Sequence, residues 1–120
     1  MNNIILDTDF LIHCIENKVD FFQELRRVCN FNYKLFVLDK TLDELKNKKN
    51  EKLILQILKD KADVIKTERN KTADELILGL NMDNLIVCTN DNGLKEKLKK
   101  RNIPVITLRQ GKYLVIQNVL

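Results

Sequence analysis

Four acidic residues fall where short apolar runs give way to helix-like ones: Asp7 after IIL, Glu44 within LDKTLDELK, Asp74 within KTADELIL, and Asp91 after IVCTN. Each alone has a plain explanation. Thr41-x-x-Glu44 and Thr72-x-x-Glu75 fit the capping box, in which the glutamate returns a hydrogen bond to the cap residue. Asp7, Asp9 and Asp91 suit N-caps, worth about 1 kcal/mol each, and acids in a first turn complement the helix dipole. Taken singly, capping outweighs catalysis for every one of them. Gathered together, they pose another problem. Carboxylates without basic partners in the same motifs repel, raising one another's pKa values and destabilising the fold unless a cation intervenes. Mg²⁺ suits such a place: it takes oxygen ligands, keeps several waters, and is usually held by one or two carboxylates together with substrate phosphate. No Cys or His accompanies the acids, which disfavours softer metals. The same helix N-termini would offer N–H groups to a phosphate. That combination is equipped for chemistry on phosphodiesters.

Whether the acids meet depends on the elements that carry them. Apolar and β-branched runs predict strands at 3–6, 34–38 and 85–88, a weaker one at 63–66, another at 103–108, and a short edge strand at 113–116. Pro104 is tolerable near a strand start. Helical spacing recurs between them, as in Phe10, Leu11, Cys14 and Ile15, in Leu53, Ile54, Ile57 and Leu58, and in Leu76, Ile77 and Leu80. It predicts helices over 9–17, 20–29, through Leu42 and Leu45, and over 51–61, 72–82 and 92–101. Strands that alternate with helices, and are apolar on both faces, predict one three-layer α/β/α domain over 1–120 around a mainly parallel sheet. Right-handed crossovers then bring every strand's C-terminal end to one edge, where open α/β folds bind ligands. Placed at helix beginnings, all four acids should face that edge.

Composition narrows the setting. A chain of 120 residues is long enough for one real core. No apolar run approaches the roughly 18 residues a membrane helix needs, and MNNIILDTDF has none of the parts of a signal peptide. Cys14, Cys29 and Cys88 are widely spaced with no CxxC pair and read as buried small hydrophobes in a reducing cytoplasm. His13 reads as a structural imidazole. The net charge of +4 and pI of about 9.0 favour a polyanionic partner. The lysine clusters at 46–52 and 95–101 read, each alone, as solvated helix faces.

On its motifs the chain resembles the PIN-domain nucleases. The matching pieces are ILDTDFLI (5–12), VLDKTLDELK (37–46), KTADELILGL (71–80) and VCTNDNGLKEKLKKRNIPVITLRQGKYL (87–114), in the family's order over most of the chain. The closing IPVITLRQGKYL resembles archaeal members near the ribosomal-RNA-processing branch, and the toxins of toxin–antitoxin pairs are another relative. The resemblance implies an endoribonuclease dependent on Mg²⁺ or Mn²⁺, with Asp7, Glu44, Asp74 and Asp91 as its catalytic and metal-binding acids. It implies that Thr89, two positions before the last acid, orients the site. Asp9 falls where the family often has Asn. By proximity to the motif acids, Lys40, Lys46, Arg69 and Lys71 are the candidates for holding RNA backbone. RNA is then the substrate, with an antitoxin or a ribosomal precursor as further partner, and homodimers common in the family.

Two rivals are weighed against this. A phosphorylation-controlled receiver domain has similar length and a similar acidic DTD, but needs an aspartate ending its third strand and a lysine after its last. Here those places hold Lys66-Thr67 and Leu108-Arg109. A PIN-like scaffold that binds RNA without cleaving it would have no need of all four acids. Phosphate-cradling GxxxxGK loops are absent, and a chain with one His and no serine is poorly equipped for nucleophilic triads.

Overall fold

The computed structural model describes residues 1–68 and 70–118. Among these, the apolar runs form strands β1 (Asn2–Leu6), β2 (Tyr33–Leu38), β3 (Ala62–Ile65), β4 (Leu85–Cys88), β5 (Val105–Arg109) and β6 (Tyr113–Gln117). Between them lie helices α1 (Thr8–Glu16), α2 (Phe21–Val28), α3 (Asp39–Leu45), α4 (Glu51–Leu58), α5 (Ala73–Leu78) and α6 (Asn92–Lys100). The sheet order is β3-β2-β1-β4-β5-β6. Every pair is parallel except β5 with β6. The expected layered α/β fold is therefore present. A receiver-type order, 2-1-3-4-5, is a different winding, and that rival falls.

Alternation along the strands builds two cores. In β1, Ile4 and Leu6 pack with Phe10, Leu11, Leu25 and Ile54, while Ile5 packs with Ile77, Leu94, Leu98 and Val105 on the other face. So α1 to α4 cover one side of the sheet, and α5 and α6 the other. Each buried Leu or Ile contributes about 1.5–3 kcal/mol, which is why the central β4, LIVC, is buried at every position. At one edge, β3 is short and leaves Asp63 and Val64 exposed.

Several helices stop earlier than their apolar spacing predicts. The helix expected over 51–61 ends at Leu58, and left-handed Asp60 (φ 64°) turns the chain into β3. The one expected over 72–82 ends at Leu78, with Gly79 as C-cap. Glycine is the weakest helix former after proline, and Leu80 and Met82 still pack on the second core without being helical.

The other edge is closed by side chains. Leu114 N–H donates to Glu24 Oε1 (2.9 Å) and Arg27 Nη2 donates to Leu114 O (2.7 Å), while Arg27 and Glu24 pair at 2.9 Å. Together they occupy backbone groups on β6 that would otherwise invite another strand. The β5–β6 turn needs left-handed backbone at Gln110 (φ 54°) and Gly111 (φ 63°). A Cβ on Gly111 would stand 2.6 Å from Asn17 Oδ1. Gly111→Ala is therefore expected to cost about 1–2 kcal/mol for the left-handed backbone alone, and more for the clash, read from urea unfolding. The same change in an Asn17→Ala background should cost less; an equal cost in both backgrounds would remove the clash from the account.

Candidate metal and active site

The strand order reverses between β1 and β4, the topological switch point where open α/β sheets place their ligands. Register brings the first two acids together there. Leu6 pairs with Cys88, and Asp7 N–H continues the ladder to Cys88 O at 3.0 Å. Just beyond, the buried Thr89 hydroxyl donates to Asp7 Oδ2 (2.8 Å) and accepts from Asp91 N–H (3.1 Å). One hydroxyl thus links the Asp7 carboxylate to the backbone of Asp91.

Capping accounts for these acids unequally. Asp91 is a true N-cap: its Oδ1 accepts from Gly93 N–H (2.9 Å) and Leu94 N–H (3.4 Å), which commits one of its two oxygens to α6. Asp7 stands at the N-cap of α1 yet makes no side-chain cap bond. In α5, Thr72 and Glu75 form the reciprocal capping box, leaving the neighbouring Asp74 out of it.

For Glu44 the expectation needs correcting. The chain passes directly from β2 into α3, with Leu38 at the N-cap, so Glu44 lies in the last turn and not the first. Thr41 is buried inside the helix and caps nothing there. The first-turn acid is Asp39, whose carboxylate accepts from Lys40 N–H and from the Thr67 N–H beyond β3. Glu44 instead accepts a hydrogen bond from Thr8 Oγ1 at 2.7 Å. Thr8 had no signal of its own in the sequence, since its partner is 36 residues away.

Asp7, Asp9, Glu44, Asp74 and Asp91 all line one cleft of about 490 Å³. Burial pushes the Asp7 carboxyl from 3.8 up to about 6; the Thr89 hydroxyl and Thr8 amide oppose the rise, and the charges of Asp9 and Asp74 add to it. Asp74 is raised as well, by burial first and then by the charge of Asp91, with Glu44 and Asp9 contributing and Lys97 opposing. The acids therefore feel one another, and among the described residues none of the four motif acids is in a salt bridge. No three acid, histidine or cysteine side chains among those residues are already close enough to grasp one ion. The donor set still fits a hard divalent cation. It is all oxygen, and its mutual repulsion is what a cation relieves. The thiols of Cys14, Cys29 and Cys88 are free and buried in the core, and burial raises all three.

The lysines chosen by proximity do not line the cleft. Lys46 pairs with Asp43 (3.9 Å) and Lys71 with Glu68 (3.3 Å). Lys40 lies half-buried on α3, and Arg69 lies outside the described residues. Lys48, beyond the end of α3, does line the cleft. In the sequence it was one lysine of a run.

A family model described as "PIN like domain" matches residues 4–111. The chain belongs to that family. A curated protein described as Ribonuclease VapC4, from Methanocaldococcus jannaschii, is 37% identical over 127 aligned positions, covering 97% of each chain. The fold superposes on the PIN domain endonuclease Utp24 with a TM-score of 0.84 at 23% identity, over 98% of this chain and 92% of that one. It also superposes on a chain of VapBC2 from Rickettsia felis, solved with a DNA fragment from their promoter. There the TM-score is 0.54 at 18% identity, over 88% of this chain and 98% of the other. The resemblance carried by the motifs is borne out.

The Asp7 shift has a sign that can be measured. Its folded-state pKa lies above the ordinary value, so stability falls as pH rises from about 4 to about 6 and the penalty is complete above that. At about 1.4 kcal/mol for each pKa step, the penalty is about 3 kcal/mol. Asp7→Asn keeps an acceptor for Thr89 and loses the charge. In a chelator at pH 8 it should melt several degrees above wild type, and at pH 4 the advantage should vanish. A lower melting point at both pH values would make Asp7 a structural acid.

Proposed function

We propose that this protein is a metal-dependent endoribonuclease that hydrolyses RNA phosphodiester bonds in the cleft at the β1/β4 switch point. The observation that carries the reading is the convergence of Asp7, Glu44, Asp74 and Asp91 on that cleft. The family membership and the name of the relative from M. jannaschii support it. A scaffold that only binds RNA would gain nothing from Asp7, whose burial as a charge costs stability.

In this mechanism the four acids would hold Mg²⁺ or Mn²⁺. Bound there, the ion supplies a water of lowered pKa as nucleophile and positive charge for the phosphate oxygens. The chain's own contribution is to fix the oxygens. Asp7 is held by Thr89, Glu44 by Thr8, and Asp91 by its bonds to the α6 amides, while Asp74 rides on the first turn of α5. Asp9, exposed at the cleft, adds a further carboxylate to its lining. Hydrolysis would form a P–O bond to water as the bond to the leaving ribose oxygen breaks, the proton lost by the water being balanced by one taken up by the leaving oxygen.

The biological setting is one of the two the resemblance implies, and a partner separates them. A cognate antitoxin that inhibits cleavage identifies a toxin; cleavage confined to a ribosomal precursor identifies a processing enzyme. No helix among the described residues is long and apolar enough to cross a membrane, and the cytoplasm is the proposed location.

Asp74→Asn tests the reading because Asp74 makes no capping bond. It should lower cleavage of a structured RNA by on the order of a hundredfold or more while folding as wild type in chelator. Mn²⁺ should raise the melting temperature of the wild type and hardly move the variant. Undiminished cleavage, or an equal metal-induced rise in both, would remove Asp74 from the site.

A further inference from the structure

Five carboxylates line the cleft, and RNA brings more negative charge to it. Among the described residues that line the same cleft, the cation is Lys48. It does not hang on a loose tail. Left-handed Asn47 (φ 64°) and Asn50 (φ 71°) bracket it in the turn between α3 and α4. Lys48 N–H donates to Leu45 O (3.0 Å), and Glu51 N–H donates to Lys48 O (3.2 Å). Asn47 N–H donates to Glu51 Oε1 at 3.2 Å, tying the turn to the first residue of α4. The backbone on both sides of Lys48 is therefore fixed. Its side chain is exposed, and among the described residues it takes part in no salt bridge.

This contrasts with its neighbours. Lys46 and Lys71 each have an acid three residues away on their own segment. A lysine present only to neutralise the acids would be paired with one of them. Lys48 shares their cleft and remains unpaired, so its ammonium is left for an incoming anion. An ammonium binds phosphate as a point charge through three rotatable donors, which suits a backbone contact that ignores sequence.

Building on the nuclease reading, we propose that Lys48 binds a backbone phosphate of the RNA within the cleft and positions the strand against the acids. Lys97, whose charge acts on Asp74, belongs to α6, in the helical layer on the other side of the sheet from α3. A strand held at Lys48 would cross the edge of the sheet toward it.

The test uses the full chain carrying Asp7→Asn, so that RNA survives, and a labelled polyuridine oligonucleotide as probe. Lys48→Met should weaken binding and lower the slope of log affinity against log salt by about 0.7, the value for one phosphate contact on a single strand. Lys48→Arg should restore the slope. Lys99→Met removes the same charge at a separate hollow beside Gln117 and should leave the slope unchanged. In cleavage by the otherwise wild-type chain, Lys48→Met should raise KM more than it lowers kcat. An unchanged slope in Lys48→Met, or an equal drop in Lys99→Met, overturns the proposal. The two readings fail separately. A wild-type chain that binds RNA through Lys48 but never cleaves it sinks the nuclease and keeps the contact; cleavage indifferent to Lys48 does the reverse.

Discussion

The Thr89 hydroxyl sits between two of the cleft's acids, donating to the Asp7 carboxylate and accepting from the backbone of Asp91. Its donated proton is a charge-assisted bond in a buried place, where such bonds are about twice as strong as neutral ones. It offsets part of the cost of burying Asp7 and does not abolish it, since burial remains the larger effect on that carboxyl. The site is therefore a strained electrostatic arrangement held by the sheet around it. Ile4, Ile5 and Leu6 before Asp7, and Ile86, Val87 and Cys88 before Thr89, are all buried. Two fully embedded strands can hold an unfavourably buried carboxylate where two loops could not.

That division explains what could be read in the chain. Asp7 and Asp91 were legible because each follows a short apolar run, and a parallel sheet sends all such runs to one edge. The Thr72–Glu75 box was legible because it is purely local. Asp74 beside it was placed on the right helix for the same reason, although the helix proved shorter.

What failed to show in the sequence is tertiary. Thr41-x-x-Glu44 has the form of a capping box, yet α3 begins two residues before Thr41 because β2 runs into it without a break. A capping motif cannot reveal that the helix has already started. Thr8 reaches Glu44 across 36 residues, and nothing adjacent to either announces the bond. Lys48 looked like Lys46 and Lys49; two left-handed asparagines and a turn, not its neighbours' composition, put it in the cleft. Nearness in sequence to an acid selected lysines that bind acids, which is what Lys46 and Lys71 do.

The two hydrophobic cores meet their functional consequence at the cleft. Asp7, Asp9 and Glu44 belong to elements packed on the first core, through α1 and α3; Asp74 and Asp91 belong to α5 and α6 on the second. Within the first layer, Thr8 ties Glu44 to α1. Between the layers, Thr89 ties Asp7 to the approach to α6. Loosening either helical layer would therefore withdraw part of the carboxylate set while leaving the rest in place. An incomplete set carries less repulsion and, in the proposed function, would also be a weaker cation site, so the energetic cost of building the site and its proposed capacity to bind rise together. The fold tolerates the first because neither layer alone contains all the acids.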